Sequence, residues 1–236
     1  MNMFGKWIMS RLFCCGDTHQ SIDIHKLSAS NFKAQKELIK DDILVILGDA
    51  GFVWSYGKEA KGEEKWWRDW IDNKPWTTFA VLGNHEAYSL IKEFPIVEFC
   101  GGHAYKITNS LYYAISGEIY NLNSRTCLVI NGADSQDKGL RKEGISWWPE
   151  EQITEDDIRK AKFNLKRYGN KVDYLLTHTG GVNVCASLGF NPTVSDVRLS
   201  QILNDFDYKY HFCGHYHVDR IVDDKTRIFY NDIKEI

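Results

Sequence analysis

The chain predicts an α/β fold: two facing β-sheets with helices on their outer faces, built as one domain. Three observations carry that reading. Short β-branched and aromatic runs alternate with helix-spaced stretches through the first half. Closely spaced short strands with turn residues between them fill the middle. Five apolar runs each stop at a cluster of metal-binding side chains. In open α/β sheets, side chains at the carboxyl ends of neighbouring strands converge on the ligand crevice.

The first strand is Leu12 to Cys15. A helix is expected over Asn31 to Lys40, where Phe32, Gln35, Leu38 and Ile39 recur at helical spacing. Ile43 to Leu47 is the second strand. Glu63 to Ile71 carries Trp66, Trp67, Trp70 and Ile71 in a stripe that predicts a helix packed on a sheet. Pro75 breaks the chain before a third strand at Thr78 to Leu82, and right-handed crossovers make these three strands parallel neighbours. Tyr105 to Ile107, Tyr112 to Ile115, Glu118 to Leu122 and Thr126 to Ile130 read as short strands, with a hairpin tip at Asn123-Ser124. They are expected to form an antiparallel portion in a second sheet. After the Trp147-Trp148-Pro149 turn, Thr154 caps a helix reaching about Arg167, with Asp157 as its capping-box partner. A strand at Tyr174 to Leu176, a helix from Asp196 to Phe206 and a strand ending at Phe212-Cys213 follow. A terminal hairpin pairs Ile221 to Val222 with Arg227 to Tyr230, turning at Asp223-Asp224-Lys225.

A length of 236 residues fits a single domain over 1–236, with 1–9 as a loose N-terminal extension. The net charge of -3 gives no general pull toward nucleic acid or anionic membrane. Without a long basic stripe, long nucleic acid is disfavoured as a partner. No apolar stretch approaches a membrane span, and Met1 to Leu12 lacks the apolar core and cleavage site of a signal peptide. Cys14, Cys15, Cys100, Cys127, Cys185 and Cys213 form no Cys-x-x-Cys pair. They read as free thiols of a reducing compartment, and the expectation is a cytoplasmic protein.

The polar clusters are Gly16-Asp17-Thr18-His19, Gly48-Asp49, Gly83-Asn84-His85-Glu86, Thr177-His178 and Gly214-His215-Tyr216-His217. Asp17 and His19 can face one metal only where the chain bends out of its strand, and Gly16 supplies freedom for that bend. His215 and His217 repeat the spacing after Gly214. One histidine alone is usually a satisfied polar group. Here five of eight fall at strand-to-loop junctions, leaving His25, His103 and His211 as ordinary. Carboxylate oxygen with imidazole nitrogen suits manganese, iron, cobalt, nickel or zinc, and the lack of cysteine in the clusters argues against a structural zinc site.

In this order the five blocks resemble the calcineurin-like metallophosphoesterase superfamily, and the resemblance spans Asp17 to His217. It implies a four-layer α-β-β-α sandwich of two mixed sheets and a di-metal hydrolase of phosphate monoesters or diesters. By motif, Asp17, His19 and His217 would hold one divalent cation, Asn84, His178 and His215 a second, and Asp49 would bridge both. Manganese ranks first, with iron, zinc, nickel or cobalt as alternatives. The implied mechanism is in-line attack by a hydroxide bridging cations roughly 3.5–4 Å apart. His85 resembles the general acid of the family, and an imidazole suits that task near neutral pH. Glu86 would orient His85 and stabilise its charge. The competing reading of Glu86 is a solvent-facing acidic residue at a helix start.

Departures from better-known branches narrow the substrate. Protein Ser/Thr phosphatases follow this Gly-Asp with an Asp-Arg pair and place another Arg before Gly-Asn-His-Glu. Here Ala50 to Val53 follow Asp49 and Leu82 precedes Gly83, which points to a small phosphate ester instead of a phosphoprotein. Purple acid phosphatases place a tyrosine ligand where Phe52 stands, so no tyrosinate-to-iron colour is expected. Lys138 and Arg141, in the loop from Asp134, are the candidates for substrate oxygens. An ordinary solvated loop is the competing reading. Phe52, Trp54 and Tyr56 either wall the pocket or pack a structural loop, and Gly180-Gly181 would let the chain pass close to the metals. The alternative function is a catalytically silent metal-binding scaffold of the same fold that recruits protein partners. Retention of His85 and all seven ligand candidates argues for the enzyme.

Overall fold

The computed structural model describes residues 10–236; the extension expected at 1–9 lies outside them. β1 (Leu12–Cys15), β2 (Ile43–Ile46) and β3 (Thr77–Ala80) are parallel neighbours, as the crossover rule predicts. The middle of the chain divides between two sheets. β4 (Ile96–Phe99), β5 (Gly102–Lys106) and β6 (Leu111–Ala114) extend the first sheet, with β6 parallel to β3. The chain then crosses at Gly117, whose φ of 78° is a glycine conformation, and opens the second sheet with β7 (Ile119–Leu122) and β8 (Arg125–Ile130). Asn123 and Ser124 form that hairpin tip with φ of 49° and 62°, the positive values that a twist-matched two-residue turn requires. The expected antiparallel portion of a second sheet is therefore met by β7 and β8, whereas β5 and β6 join the first sheet, β6 pairing with β3.

β9 (Lys171–Thr177), β10 (Asp207–Cys213), β11 (Arg220–Ile221) and β12 (Thr226–Ile228) complete the second sheet in the order β11-β12-β10-β9-β8-β7. The first sheet runs β13-β1-β2-β3-β6-β5-β4, its edge closed by the two residues of β13 (Lys234–Glu235). Both sheets are mixed. Cys14, Val45 and Phe79 meet Cys127, Tyr174 and Phe212 between them. Cys15, one residue on from Cys14, faces the opposite side with Leu44, Ile46 and Trp76, as strand alternation dictates. Burial on both sides makes β1 and β2 continuous apolar runs. All six cysteines are free.

Helices cover the outer faces, giving four layers. α1 (Gly62–Asp72) lies on the first sheet. A short α2 (Tyr88–Ile91) follows the third polar cluster. α3 (Glu155–Arg167), α4 (Val182–Leu188) and α5 (Val194–Leu203) lie with the second sheet, where Ile158, Ala161, Leu165 and Leu199 pack on Leu128 and Leu175. Thr154 and Asp157 form the expected capping box, and Thr193 with Asp196 forms another that starts α5 two residues before the sequence estimate. No described helix is long and apolar enough to cross a membrane.

Two helix expectations change. Asn31 to Lys40 yields only a 3-10 turn, Lys33–Glu37. No side chain caps its start, and the Gln35 amide donates to the carbonyls of Leu27 and Phe32, a local alternative to helix bonding. On α1 the buried face is Glu64, Arg68 and Ile71, while Trp66 is 55% exposed. Arg68 donates to the carbonyls of Phe52, Tyr56 and Gly57 and pairs with Glu64, which accepts from the Ser55 and Tyr56 N–H groups. Trp67 and Trp70 still pack, half-buried, on the core of the first sheet, beside the charged pair that serves the backbone of the loop after β2. α1 thereby fixes the loop that carries Trp54.

Candidate metal centre

The five clusters converge beyond the carboxyl ends of β1, β2, β3, β9 and β10. The chain must turn sharply to do this. Of nine non-glycine residues with positive φ among the described residues, four are His19 (40°), Asp49 (51°), His215 (70°) and His217 (51°). Each such conformation costs roughly 1–2 kcal/mol for a residue bearing Cβ, so strain concentrates here. The bend assigned to Gly16 falls on His19 and Gln20 instead; Gly16 lies against the Phe229 carbonyl, where a Cβ would overlap. Three other glycines serve close approach. A Cβ at Gly48 would enter the His178 ring, at Gly83 the Asp49 carboxylate and His178, and at Gly214 the Asp17 carboxylate.

Asp49 Oδ2 lies 3.3 Å from His19 Nε2 and 3.3 Å from His178 Nε2. Its Oδ1 accepts the His85 N–H at 2.7 Å. Asp17 Oδ2 is 3.2 Å from His217 Nε2, and its Oδ1 accepts the His215 N–H at 3.0 Å. Asn84 Oδ1 is 3.1 Å from His178 Nε2, and the His215 ring meets the His178 ring edge-on at 4.9 Å. All seven residues named as ligands from the sequence thus occupy one cluster. Neighbours orient them. The Leu47 carbonyl, 2.7 Å from His178 Nδ1, takes that hydrogen and leaves Nε2 facing Asp49. The Asn84 amide donates to Ser135 Oγ at 3.1 Å, which turns its oxygen inward, and Ser135 is held in turn by Glu151.

Asp17, Asp49, Asn84 and His178 are buried. Burial works against the charge of both acids. Contact with His217 still holds Asp17 below the ordinary carboxylate range, and His178 and His19 hold Asp49 well below it. Burial likewise opposes protonation of His19 and His178, yet Asp49 lifts each to about 9. Burial and the neighbouring His178 push His215 down to about 4. Without cations, two buried carboxylates are balanced by two imidazolium groups. Asp17 Oδ2 has no properly directed hydrogen bond in its buried position. Buried carboxylates with imidazole nitrogens and one amide oxygen are a donor set that fits first-row divalent cations.

A ring nitrogen of His85 lies within 4.8 Å of ligating atoms of His19 and Asp49. Trp54 stacks on the His85 ring at 6.4 Å and 26°, and is itself braced edge-on by Trp148. Arg141 Nη1 is 3.3 Å from His85 Nδ1 while Nη2 is 3.0 Å from Nε2. The imidazole nitrogens point apart, so simultaneous contact with both places the guanidinium over the ring face. Asp137 holds Arg141 Nε at 2.8 Å. Burial lowers the His85 pKa, with Asp49 opposing and the Arg141 charge adding to the fall. A cavity of about 230 Å³ opens beside these groups, lined by His19, Gln20, Ile22, Gly51, Trp54 and His85.

Other sequence candidates lie elsewhere. Lys138 is exposed and makes no hydrogen bond or ion pair with the cluster. Glu86 is wholly buried, so it is not a solvent-facing helix start, and no hydrogen bond joins it to His85. Its Oε1 accepts the Ala50 N–H at 2.7 Å, and burial with Asp49 nearby raises it to about 8. Glu86 supports the turn that presents Asp49. Phe52 is core, Tyr56 is exposed, and only Trp54 reaches the pocket. Gly180-Gly181 does not approach the cluster; Gly181, at φ 80°, starts α4 beside Ser200. Sequence reading missed Ser135 and Glu151 because nothing local marks a serine as the partner of an amide far upstream.

A family model described as calcineurin-like phosphoesterase matches residues 10–219. No curated protein matches the chain.

Proposed function

This chain belongs to the calcineurin-like phosphoesterase family, and from that premise we propose that it is an active, metal-dependent hydrolase of small phosphate monoesters or diesters. The observation that carries the reading is His85, held beside Asp49 between an indole and a guanidinium at the mouth of a cleft. A silent scaffold has no need of that arrangement.

Asp17, His19 and His217 would hold one cation, Asn84, His178 and His215 another, and Asp49 both, with manganese first among the candidates and iron, zinc, nickel or cobalt behind it. Such a pair supplies an acidified water and neutralises charge at phosphate oxygens. The neutral Asn84 limits negative charge among the ligands. His85 gives its proton to the leaving oxygen. Arg141 exchanges its place over the His85 ring for substrate oxygens, which it can grip in a bidentate fork. Lys138, exposed on the same loop, contributes charge at longer range. Trp54 walls the leaving-group side. Free cysteines fit a reducing, cytoplasmic setting.

The test is hydrolysis of an aryl phosphate and its diester by purified protein supplied with Mn2+. Turnover of either supports the reading. Inactivity on both by protein shown to bind its ions would favour a scaffold that recruits protein partners. On a poor leaving group, His85→Ala is expected to lower kcat by roughly 10²–10⁴; full retention would refute the general-acid role.

A further inference from the structure

We propose that Asp23 and Tyr230 are positioning residues for the cation site of Asp17, His19 and His217, setting two of its ligands through one hydrogen-bonded relay. The inference rests on the assignment of that site.

His19 presents Nε2 to Asp49 while its Nδ1 lies 2.7 Å from Asp23 Oδ2. A carboxylate can only accept, so Nδ1 keeps its hydrogen toward Asp23, and the proton given up when a cation enters is the one on Nε2, which frees the lone pair there. The other Asp23 oxygen accepts the Tyr230 hydroxyl at 2.9 Å. The Tyr230 ring in turn lies flat on His217, with centroids 4.8 Å apart and planes within 9°. His217 is 51% exposed, so this stacking supplies much of the packing that can fix its ring. Tyr230 is itself anchored. Its N–H donates to Asp219 at 2.8 Å, and its carbonyl accepts from Lys26 Nζ at 2.6 Å. Lys26, buried, also donates to the Asp17 carbonyl at 2.6 Å.

One relay therefore joins a ligand beyond β1 to a ligand beyond β10. His178, assigned to the other cation, takes its support from the Leu47 carbonyl instead. Different supports make a selective effect the consequence. Partners of this kind typically change metal affinity by about 10–100-fold.

The experiment titrates Mn2+ into the metal-free full chain and counts free ion by electron paramagnetic resonance. Wild type is expected to take up two ions. In Asp23→Asn the amide NH2 can face Nδ1, leaving the ring hydrogen on Nε2. One of the two ions should then bind about 10–100-fold more weakly, the other within about twofold. Tyr230→Phe keeps the stacking and loses the hydroxyl, so a smaller loss at the same ion is expected, and Tyr230→Ala should exceed it. Nitrogen-15 spectra of labelled histidines in Zn2+-loaded wild type should show His19 carrying its hydrogen on Nδ1, a signature that a purely structural role would not move. Wild-type affinity for both ions in Asp23→Asn and Tyr230→Phe, or equal weakening of both ions, overturns the proposal. Where metal-free melting shows that Asp23→Asn has not folded, Tyr230→Phe decides. A wild type that takes up no ions overturns the centre itself, a result distinct from an intact pair indifferent to these variants.

Discussion

Loading the metal centre should expel protons, and their number follows from the electrostatics of the metal-free cluster. His19 and His178, both raised to about 9 by Asp49, are almost fully protonated at about pH 7. Each must lose its proton before Nε2 can ligate. Asp17 and Asp49 are already ionised, and His215, pushed down to about 4, is already neutral. Uptake of two cations near pH 7 should therefore release about two protons from His19 and His178, a share falling toward none as pH rises past about 10, in addition to any proton given up by water that the pair would acidify. Calorimetric titration with Mn2+ in two buffers of different ionisation enthalpy measures this directly. Equal heats in both buffers would refute the reasoning, because either the imidazolium–carboxylate pairs do not exist or these histidines are not ligands.

The same pairs fix how the metal-free protein responds to pH. A histidine whose pKa is raised by folding stabilises fully below its unfolded value near 6.5 and loses that contribution as pH climbs through its folded value. For the wholly buried His178 the interval up to about 9 corresponds to about 3 kcal/mol. His19 adds less than a second full share because both rings lean on the same carboxylate. Metal-free protein should thus soften between about pH 6.5 and 9, and Mn2+ should restore it.

Four further outcomes are expected. Gly83→Ala puts a methyl group into Asp49 and His178; urea unfolding should show about 1–3 kcal/mol lost, and Mn2+ affinity should fall with it. Arg141→Ala should raise KM for a phosphomonoester, with kcat/KM falling by about 10–100-fold if a charged hydrogen bond worth about 1.5–3 kcal/mol is removed. Arg68→Ala leaves Glu64 buried without its partner and frees the carbonyls of the Trp54 loop. A loss of about 3–5 kcal/mol in urea unfolding, with quenched or shifted tryptophan emission, is the expected result. His211, wholly buried and pushed down to about 4, stays neutral in the fold while the unfolded chain protonates near 6.5. Its share of stability should accordingly fall by up to about 3 kcal/mol between pH 6.5 and 4, alongside that of His215, and His211→Gln should make that stretch of the profile shallower.

Much of this was legible in the chain because two signals coincide at every strand end. β1, β2, β3, β9 and β10 announce themselves as apolar runs, and the residue types that follow each run need partners that only one another can supply. Contacts perpendicular to the chain left weaker traces. Nothing in Trp66, Trp67 and Trp70 says that Arg68, between them, owns the inner face of α1; that depends on which backbone groups of a distant loop lack partners. Arg141 showed its charge but not its place over His85. Asp23 is four residues from His19 in a segment without periodicity, so a reader sees only an acidic loop residue. Glu86 illustrates the limit best: the motif marks it as important, whereas its contact with the Ala50 N–H assigns it to the turn behind Asp49.

The distribution of the cluster between the sheets carries a last consequence. β1, β2 and β3 of the first sheet present Asp17, His19, Asp49 and Asn84, while β9 and β10 of the second present His178, His215 and His217. The residues proposed for each cation come from both sheets, so neither sheet alone can assemble a complete site. The inner apolar layer holds the sheets face to face, and the ion pairs at their ends join one sheet to the other. Cations taking the place of those pairs would act as a clasp between the layers, adding about 2.7 kcal/mol at a free concentration of about 100 Kd. The strained turns at His19, Asp49, His215 and His217 are then understandable: the energy of docking two sheets is what holds four unfavourable backbone conformations at one point, where the chemistry requires them.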